Sequence, residues 1–214
     1  MDNYKQIWKT NNKTKLIEFN DELQFNDFKS NGYNIKSTVH NKFSRIRVTI
    51  VDWTNGKKEK TNVINYLLLP SKMKLISDRI LTKDIDFFSK VDNYTKKAGY
   101  YEQKINPHQK DANGNSPVSC INIYYQEKMR SPWTINIEEG VGKVGKNNNT
   151  GGIIVQPQTY NRIANSTLYI TDSEILDGMI QIKDYINTFE TVSMNKMLKA
   201  RAEYVNTRIK NNAN

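Results

Sequence analysis

The chain has 214 residues, with 32 Lys and Arg against 22 Asp and Glu, giving a net charge of +10 and a pI near 9.5. That length suits one domain or two intimate half-domains with an unaided core, and the charge makes a polyanion the first partner to consider. The single cysteine, Cys120, excludes an internal disulfide. No apolar run approaches the ~18 residues of a membrane span, so a cytoplasmic protein making no membrane contact is expected.

Residues 1–33 read as an N-terminal arm, polar and basic at first, with Trp8 as the only large anchor of residues 1–15, then Leu23, Phe25 and Phe28 before a turn at SNGYN. An edge strand over residues 1–15 is the alternative. Residues 34–92 form a first β-sheet and helix repeat. Ile35, Ser37 and Val39 alternate with Lys36, Thr38 and His40, and a strand follows from Ser44 to Trp53. On it Ile46, Val48 and Ile50 face a core and leave Arg45, Arg47 and Thr49 on the other face. In the turn WTNGKKEKTN, Asn55-Gly56 supply positive φ, and Lys57, Lys58 and Lys60 supply charge. The return strand Val63–Leu69 is apolar on both faces, as expected where both are covered. Ser71 is placed to cap a helix from Lys72 to Leu81, and Ile85, Phe87 and Phe88 extend its apolar stripe.

Residues 93–117, with Asn106-Pro107, Gly114 and Pro117, read as a surface linker loop. A second sheet repeat then spans 118–170. In its first strand Ile121, Ile123 and Tyr125 alternate with Asn122, Tyr124 and Gln126, and Lys128 and Arg130 fill the next turn. Ile135 and Ile137 mark a strand after Trp133; a Gly, Asn and Lys loop over 140–152 carries Lys143 and Lys146, and Ile153–Val155 return. Pro157 ends that ladder, and Tyr160, Ile163 and Ala164 at helical spacing predict a short helix over 158–164. Thr171 and Glu174 form a capping box for a C-terminal helix over 171–210, with Ile175, Met179, Ile182, Ile186 and Phe189 as its stripe and a bend expected beyond Met194.

The two hairpins agree without a gap at an offset of 87 residues: Val48 and Ile50 fall on Ile135 and Ile137, Leu67 and Leu68 on Ile154 and Val155, Pro70 on Pro157 and Ile76 on Ile163. This predicts a tandem repeat in which residues 46–81 and 133–168 superpose about an approximate two-fold axis and share one core.

The segment Gly151 to Ala164, GGIIVQPQTYNRIA, with the Lys- and Gly-containing loop before it, resembles the single-stranded DNA-binding domain of positive cofactor four and of its plant relatives, the Whirly proteins. There a Lys/Gly-rich turn leads into Gly-apolar-x-apolar-x-Pro-x-x-aromatic and a helix. Ile46 and Arg47 are similar to the Ile-Arg pair on the family's preceding strand, while the first copy lacks the Gly and has Met73 at the aromatic position. The resemblance implies an α+β fold of two tandem antiparallel sheet-plus-helix repeats, Whirly-like, each of about four strands, with a long C-terminal helix.

No chemistry of catalysis stands out, so no enzyme and no cofactor is expected. Gly140 to Gly145 satisfies G-x-G-x-x-G but joins strand to strand, whereas a dinucleotide site needs the glycines to open a helix. Asp111-Ala-Asn-Gly-Asn lacks the downstream Glu of a calcium loop, and His40 and His108 have no partner at zinc spacing. The expected function is sequence-nonspecific binding of single-stranded DNA, with RNA as the other such polymer, in replication, recombination, or plasmid or phage maintenance. Arg45, Arg47, Lys57, Lys58, Lys60, Lys128, Arg130, Lys143 and Lys146 are the phosphate candidates, and Trp53 and Tyr124 the stacking candidates. The hairpin loops 54–61 and 140–152 are expected to be mobile basic clamps. A duplex-binding regulator using the C-terminal basic helix, or a homo-oligomeric structural protein, are the rivals.

Overall fold

The computed structural model describes residues 5–23, 44–56, 60–93, 95–147 and 151–212. Two four-stranded antiparallel meanders dominate it. The first contains β1 (Lys5–Asn11), β2 (Lys15–Glu22), β3 (Arg45–Asp52) and β4 (Asn62–Leu68), in that order across the sheet, and leads into α1 (Pro70–Leu81) and α2 (Ile85–Ser89). The second contains β5 (Tyr100–Ile105), β6 (Ser116–Tyr125), β7 (Trp133–Gly142) and β10 (Asn161–Ile170), and leads into α3 (Asp172–Asn212). Between β7 and β10 a separate two-stranded ribbon, β8 (Val144–Lys146) with β9 (Ile153–Val155), is inserted.

The fold is therefore α+β, with two sheet-plus-helix units in tandem, and the strands that form follow the period-2 pattern. Ile46, Val48 and Ile50 of β3 and Ile64, Tyr66 and Leu68 of β4 are buried together on one face, joined by Ile17 and Phe19 of β2. The opposite face of β4 is open, with Val63 and Leu67 exposed, contrary to the covered strand expected there. In the second sheet Ile121, Ile123, Ile135, Ile137, Leu168 and Ile170 supply the inner face. Two contacts fix how the sheets cross. Ser166 of β10 donates to Asp52 at the end of β3 (2.9 Å), and Lys104 of β5 donates to the carbonyl of Leu67 near the end of β4. The β4 strand thus traverses the inner face of the second sheet from β10 to β5.

The helices close the core. Met73, Ile76, Ser77 and Ile80 of α1 are buried, and Ser77 Oγ meets Met179 Sδ of α3 at 3.4 Å. Ile175, Met179, Ile182 and Ile186 of α3 are buried as their spacing requires, and Thr171 and Glu174 make the capping box, each backbone N–H donating to the other's side chain. Gly178 lets α3 approach β1, because a Cβ there would stand 2.6 Å from the Trp8 ring. Thr10 donates to Glu174 and Tyr185 to Asp21, fastening the same helix to β1 and β2.

Several expectations are corrected. Residues 5–22 of the supposed arm are the first two strands of a sheet, and β5 lies inside the supposed 93–117 linker loop. The gapless superposition of 46–81 on 133–168 fails: residues 70–81 are helix, whereas 161–170 are strand. The two units correspond as β3 to β7, β4 to β10 and α1 to α3, with the β8–β9 ribbon as an insertion in the second. No helix forms over 158–164. A β-bulge between Arg162 and Ala164 throws Ile163 outward, and that extra residue turns a period of two into an apparent helical spacing. Pro70 itself opens α1 as its first residue, so Ser71 is not its cap. The α3 helix continues past Met194 to Asn212.

Asp52 is the ionic link between the sheets. It accepts from Ser166, from the backbone and hydroxyl of Thr54, and from Lys15 at 2.9 Å. Burial works against its charge, but these donors outweigh it and hold its carboxyl well below the usual carboxylate range. A carboxyl depressed by folding stabilises the fold above its unfolded pKa near ~4 and loses that contribution as pH falls toward the folded value. Chemical denaturation between pH 7 and pH 2 should show this decline, and Asp52→Asn should start roughly 2 kcal/mol less stable at pH 7 and lose less on acidification.

Candidate nucleic-acid interface

The basic residues expected to touch phosphate fall into distinct environments. Arg45 and Arg47 stand on the outer face of the first sheet; Arg47 pairs with Glu22, and Arg45 donates to the Ser44 carbonyl. Both are half-buried and engaged. Trp53 follows β3, half-buried, with its indole N–H donating to the Lys13 carbonyl at 3.1 Å, and Lys60 is exposed at the far end of the same turn region. Lys57 and Lys58 lie outside the described residues.

The second sheet carries the rest. Lys128 and Arg130 are exposed in the β6–β7 turn, and Lys143 and Lys146 are exposed at the β7–β8 junction and the end of β8. Lys60, Lys128, Arg130, Lys143 and Lys146 form no ion pair among the described residues, in contrast to Lys72, Lys74 and Lys183, which are paired with Glu102, Glu190 and Asp78. The ten residues of β7 separate Lys128 and Arg130 from Lys143 and Lys146. At about 3.4 Å per residue, the turn carrying Lys128 and Arg130 and the β7–β8 junction at Lys143 stand roughly 30 Å apart at opposite ends of that strand, with Lys146 on the ribbon that follows.

Residues 140–147 are strand and ribbon, not the wholly mobile loop expected, and the ribbon folds back. A Cβ on Gly142 would lie 2.5 Å from Val155, and a Cβ on Gly140 would meet the Asn161 carbonyl at 2.5 Å and the Tyr160 ring at 2.7 Å. Gly140 therefore seats Tyr160 across the outer face of the second sheet.

That outer face is defined by register. Tyr124, Thr134 and Tyr169 form one cross-strand row; Tyr101, Asn122, Asn136 and Thr167 form the next; Gln103, Cys120, Glu138 and Asn165 the third. Alternation puts Tyr124 on the non-core face and it stands there, half-buried, while Trp53 follows the last residue of β3 in the first sheet, so the two stacking candidates are not brought together. Tyr101 and Tyr169 escaped the sequence reading. The signal for Tyr169 was its phase with the buried Leu168 and Ile170, hidden by reading the preceding segment as helix.

Electrostatically the row near the ribbon is quiet. Burial leaves the Cys120 thiol raised, against the opposing pull of the Tyr101 and Gln103 donors, and burial pushes the Tyr160 phenol up to about 12. The Tyr101 hydroxyl donates to Cys120 Sγ at 3.3 Å and the Lys97 ammonium stands 5.9 Å from the Tyr101 ring. Glu138 is the one acid of the three rows, with Arg162 at 4.0 Å. Asp111 closes a turn through Asn113 and Asn115, and no group of three metal-binding side chains occurs among the described residues. No described helix is long and apolar enough to cross a membrane.

No family model matches the chain, and no curated protein matches it. Among solved structures it is similar to the crystal structure of WHY1 from Arabidopsis thaliana, at 8% identity over 91% of this chain and 95% of that one, with a TM-score of 0.43.

Proposed function

We propose that the chain binds single-stranded DNA with little base preference, serving replication, recombination, or plasmid or phage maintenance. The observation that carries this reading is the placement, at both ends of the second sheet, of exposed cations that form no ion pair among the described residues, with a weakly charged face between them. A flexible strand can lie along that face and be held by its phosphates at each end.

Mobility shifts with a homopolymeric single strand, a duplex and RNA, at graded salt, test the reading. If Lys60, Lys128, Arg130, Lys143 and Lys146 each contact a phosphate, the log–log salt slope on a single strand should be near about −3.5. Affinity that is unchanged between low and moderate salt, or a preference for duplex, overturns it.

A second copy of the chain is the other proposed partner, favoured by α3. At 41 residues it is about 60 Å long, and its buried stripe ends at Ile186, leaving Val192, Met194 and Leu198 exposed beyond it. Sedimentation of the full chain and of a Met194→Ser, Leu198→Ser variant should show an oligomer in the first and a smaller species in the second.

A further inference from the structure

On the inner face of the second sheet β4 reaches Lys104, whose ammonium donates to the Leu67 carbonyl and stands over the Tyr66 ring. Beside that residue a pocket of about 460 Å³ opens. One cross-strand row of its floor is Lys104, Ser119 and Glu139, the next holds Pro117 and Val141, and Ile163 stands at its edge. Ile163 is the extra residue of the β10 bulge and is 68% exposed. A bulge re-aims a side chain, and here it sets an isoleucine where its own chain buries little of it.

The two acids of the inner face differ in their partners. Glu102 pairs with Lys72 at 2.8 Å, accepts from Tyr100 and lies 3.9 Å from Lys104. Glu139 is half-buried and makes no hydrogen bond or ion pair among the described residues. The cation of its own row, Lys104, is two strands away and is engaged with Leu67 and Glu102. A half-buried carboxylate without a donor loses hydration and recovers nothing for it. In a concave, mostly apolar site, a ligand that brings the missing donor restores the loss.

The other polar groups of the pocket narrow what that ligand is. Asn106 Nδ2 donates to Gln109 at 3.3 Å, and Lys104, its ammonium engaged elsewhere, offers chiefly its methylene stem. Ser119 is directly opposite Glu139 on β6, where Cβ atoms are about 4.5–5.5 Å apart, so its hydroxyl and the carboxylate can both accept from one ammonium group. A second charge on the ligand would be pressed against Pro117, Val141 or Ile163 and lose its hydration there.

We propose that this pocket binds a small apolar monoamine, whose ammonium group is held by Glu139 and Ser119 while its body lies against Pro117, Val141 and Ile163. The site is on the face of the second sheet opposite to the one assigned to single-stranded DNA, and it stands independently of that reading. Its volume is in the range that encloses small organic ligands.

The test is titration of the isotope-labelled full chain, followed by amide NMR, with hexylammonium, hexanol, hexanoate and hexamethylenediammonium. Hexylammonium should shift the amides of Ser119, Glu139, Val141 and Ile163 and bind roughly ten- to 150-fold more tightly than hexanol, the gain of a donor to a charged acceptor. Hexanoate and the diammonium should both bind less tightly than hexylammonium. Glu139→Gln should bring hexylammonium down to the affinity of hexanol and leave hexanol unchanged, while Ile163→Ala, at an exposed position, should weaken both alike. Should Glu139→Gln melt early, the four ligands on the native chain and the Ile163→Ala comparison carry the decision. Hexanol, hexanoate or the diammonium binding as tightly as hexylammonium overturns the site, and so do shifts confined to other parts of the chain or no saturable shift at all.

Discussion

Trp133→Ala should destabilise the fold by about 3–5 kcal/mol, the cost of emptying a large aromatic site in a packed core. Trp133 opens β7 and is 2% exposed, with Phe88 of α2 at 5.0 Å and Tyr125 of β6 at 5.2 Å, both edge-on to it. Its indole N–H donates to Asp172 at 2.8 Å, in the first turn of α3. One side chain thus joins the second sheet, the short helix after the first unit, and the start of the long helix. Removing it leaves a cavity and a carboxylate without its donor. Against a total stability of about 5–15 kcal/mol, that loss lowers Tm by roughly 6–20 °C in a chain of this size. Trp133→Phe keeps most of the volume and should cost only about 1–2 kcal/mol, chiefly the lost hydrogen bond. Denaturant unfolding of the two variants measures both numbers. A loss below 1 kcal/mol for the alanine variant would mean that the two units are not joined through this residue.

What the sequence made legible was the strands with one clean buried face. Ile46, Val48 and Ile50, and Ile135 and Ile137, announce β3 and β7 by alternation alone, and Thr171 and Glu174 announce α3 by reciprocal capping. What it concealed has local causes. The β5 strand, YYEQKI, has almost no apolar alternation, because its inward side chains are Tyr100, Glu102 and Lys104. They are half-buried in a polar cluster in which Glu102 accepts from Tyr100 and pairs with Lys72 at 2.8 Å, and Lys104 stands over the Tyr66 ring at 4.7 Å. Burial works against the charge of Glu102, but Lys72 and Tyr100 outweigh it and leave its pKa lowered, whereas burial leaves that of Lys104 lowered too. A hydrophobic pattern cannot reveal a strand whose inner face is ionic. The bulge at Ile163 hid β10 in a different way, by breaking the phase that would have extended Leu168 and Ile170 backward. Missing β5 and β10 removed Tyr101 and Tyr169 from view, and with them the face that gives Tyr124 company.

Removing the cations from both ends of the second sheet should lower single-strand affinity on the order of a hundredfold near physiological salt and flatten the log–log salt slope by about 2.8. The variant is Lys128→Asn, Arg130→Ala, Lys143→Ala and Lys146→Ala, with Asn at 128 because that residue sits at φ 71, where Asn is tolerated. All four positions are exposed, so Tm should barely move. The two half-variants carry the sharper argument. If a strand spans the roughly 30 Å between the ends, each pair contributes its own share. Each half-variant then loses on the order of tenfold and the losses add, as they do for distant independent contacts. If the strand is gripped at one end only, one half-variant reproduces the whole loss and the other binds like the native protein. A quadruple variant that binds normally but melts early would show the turns to be structural, and would move the binding face to the basic C-terminal half of α3.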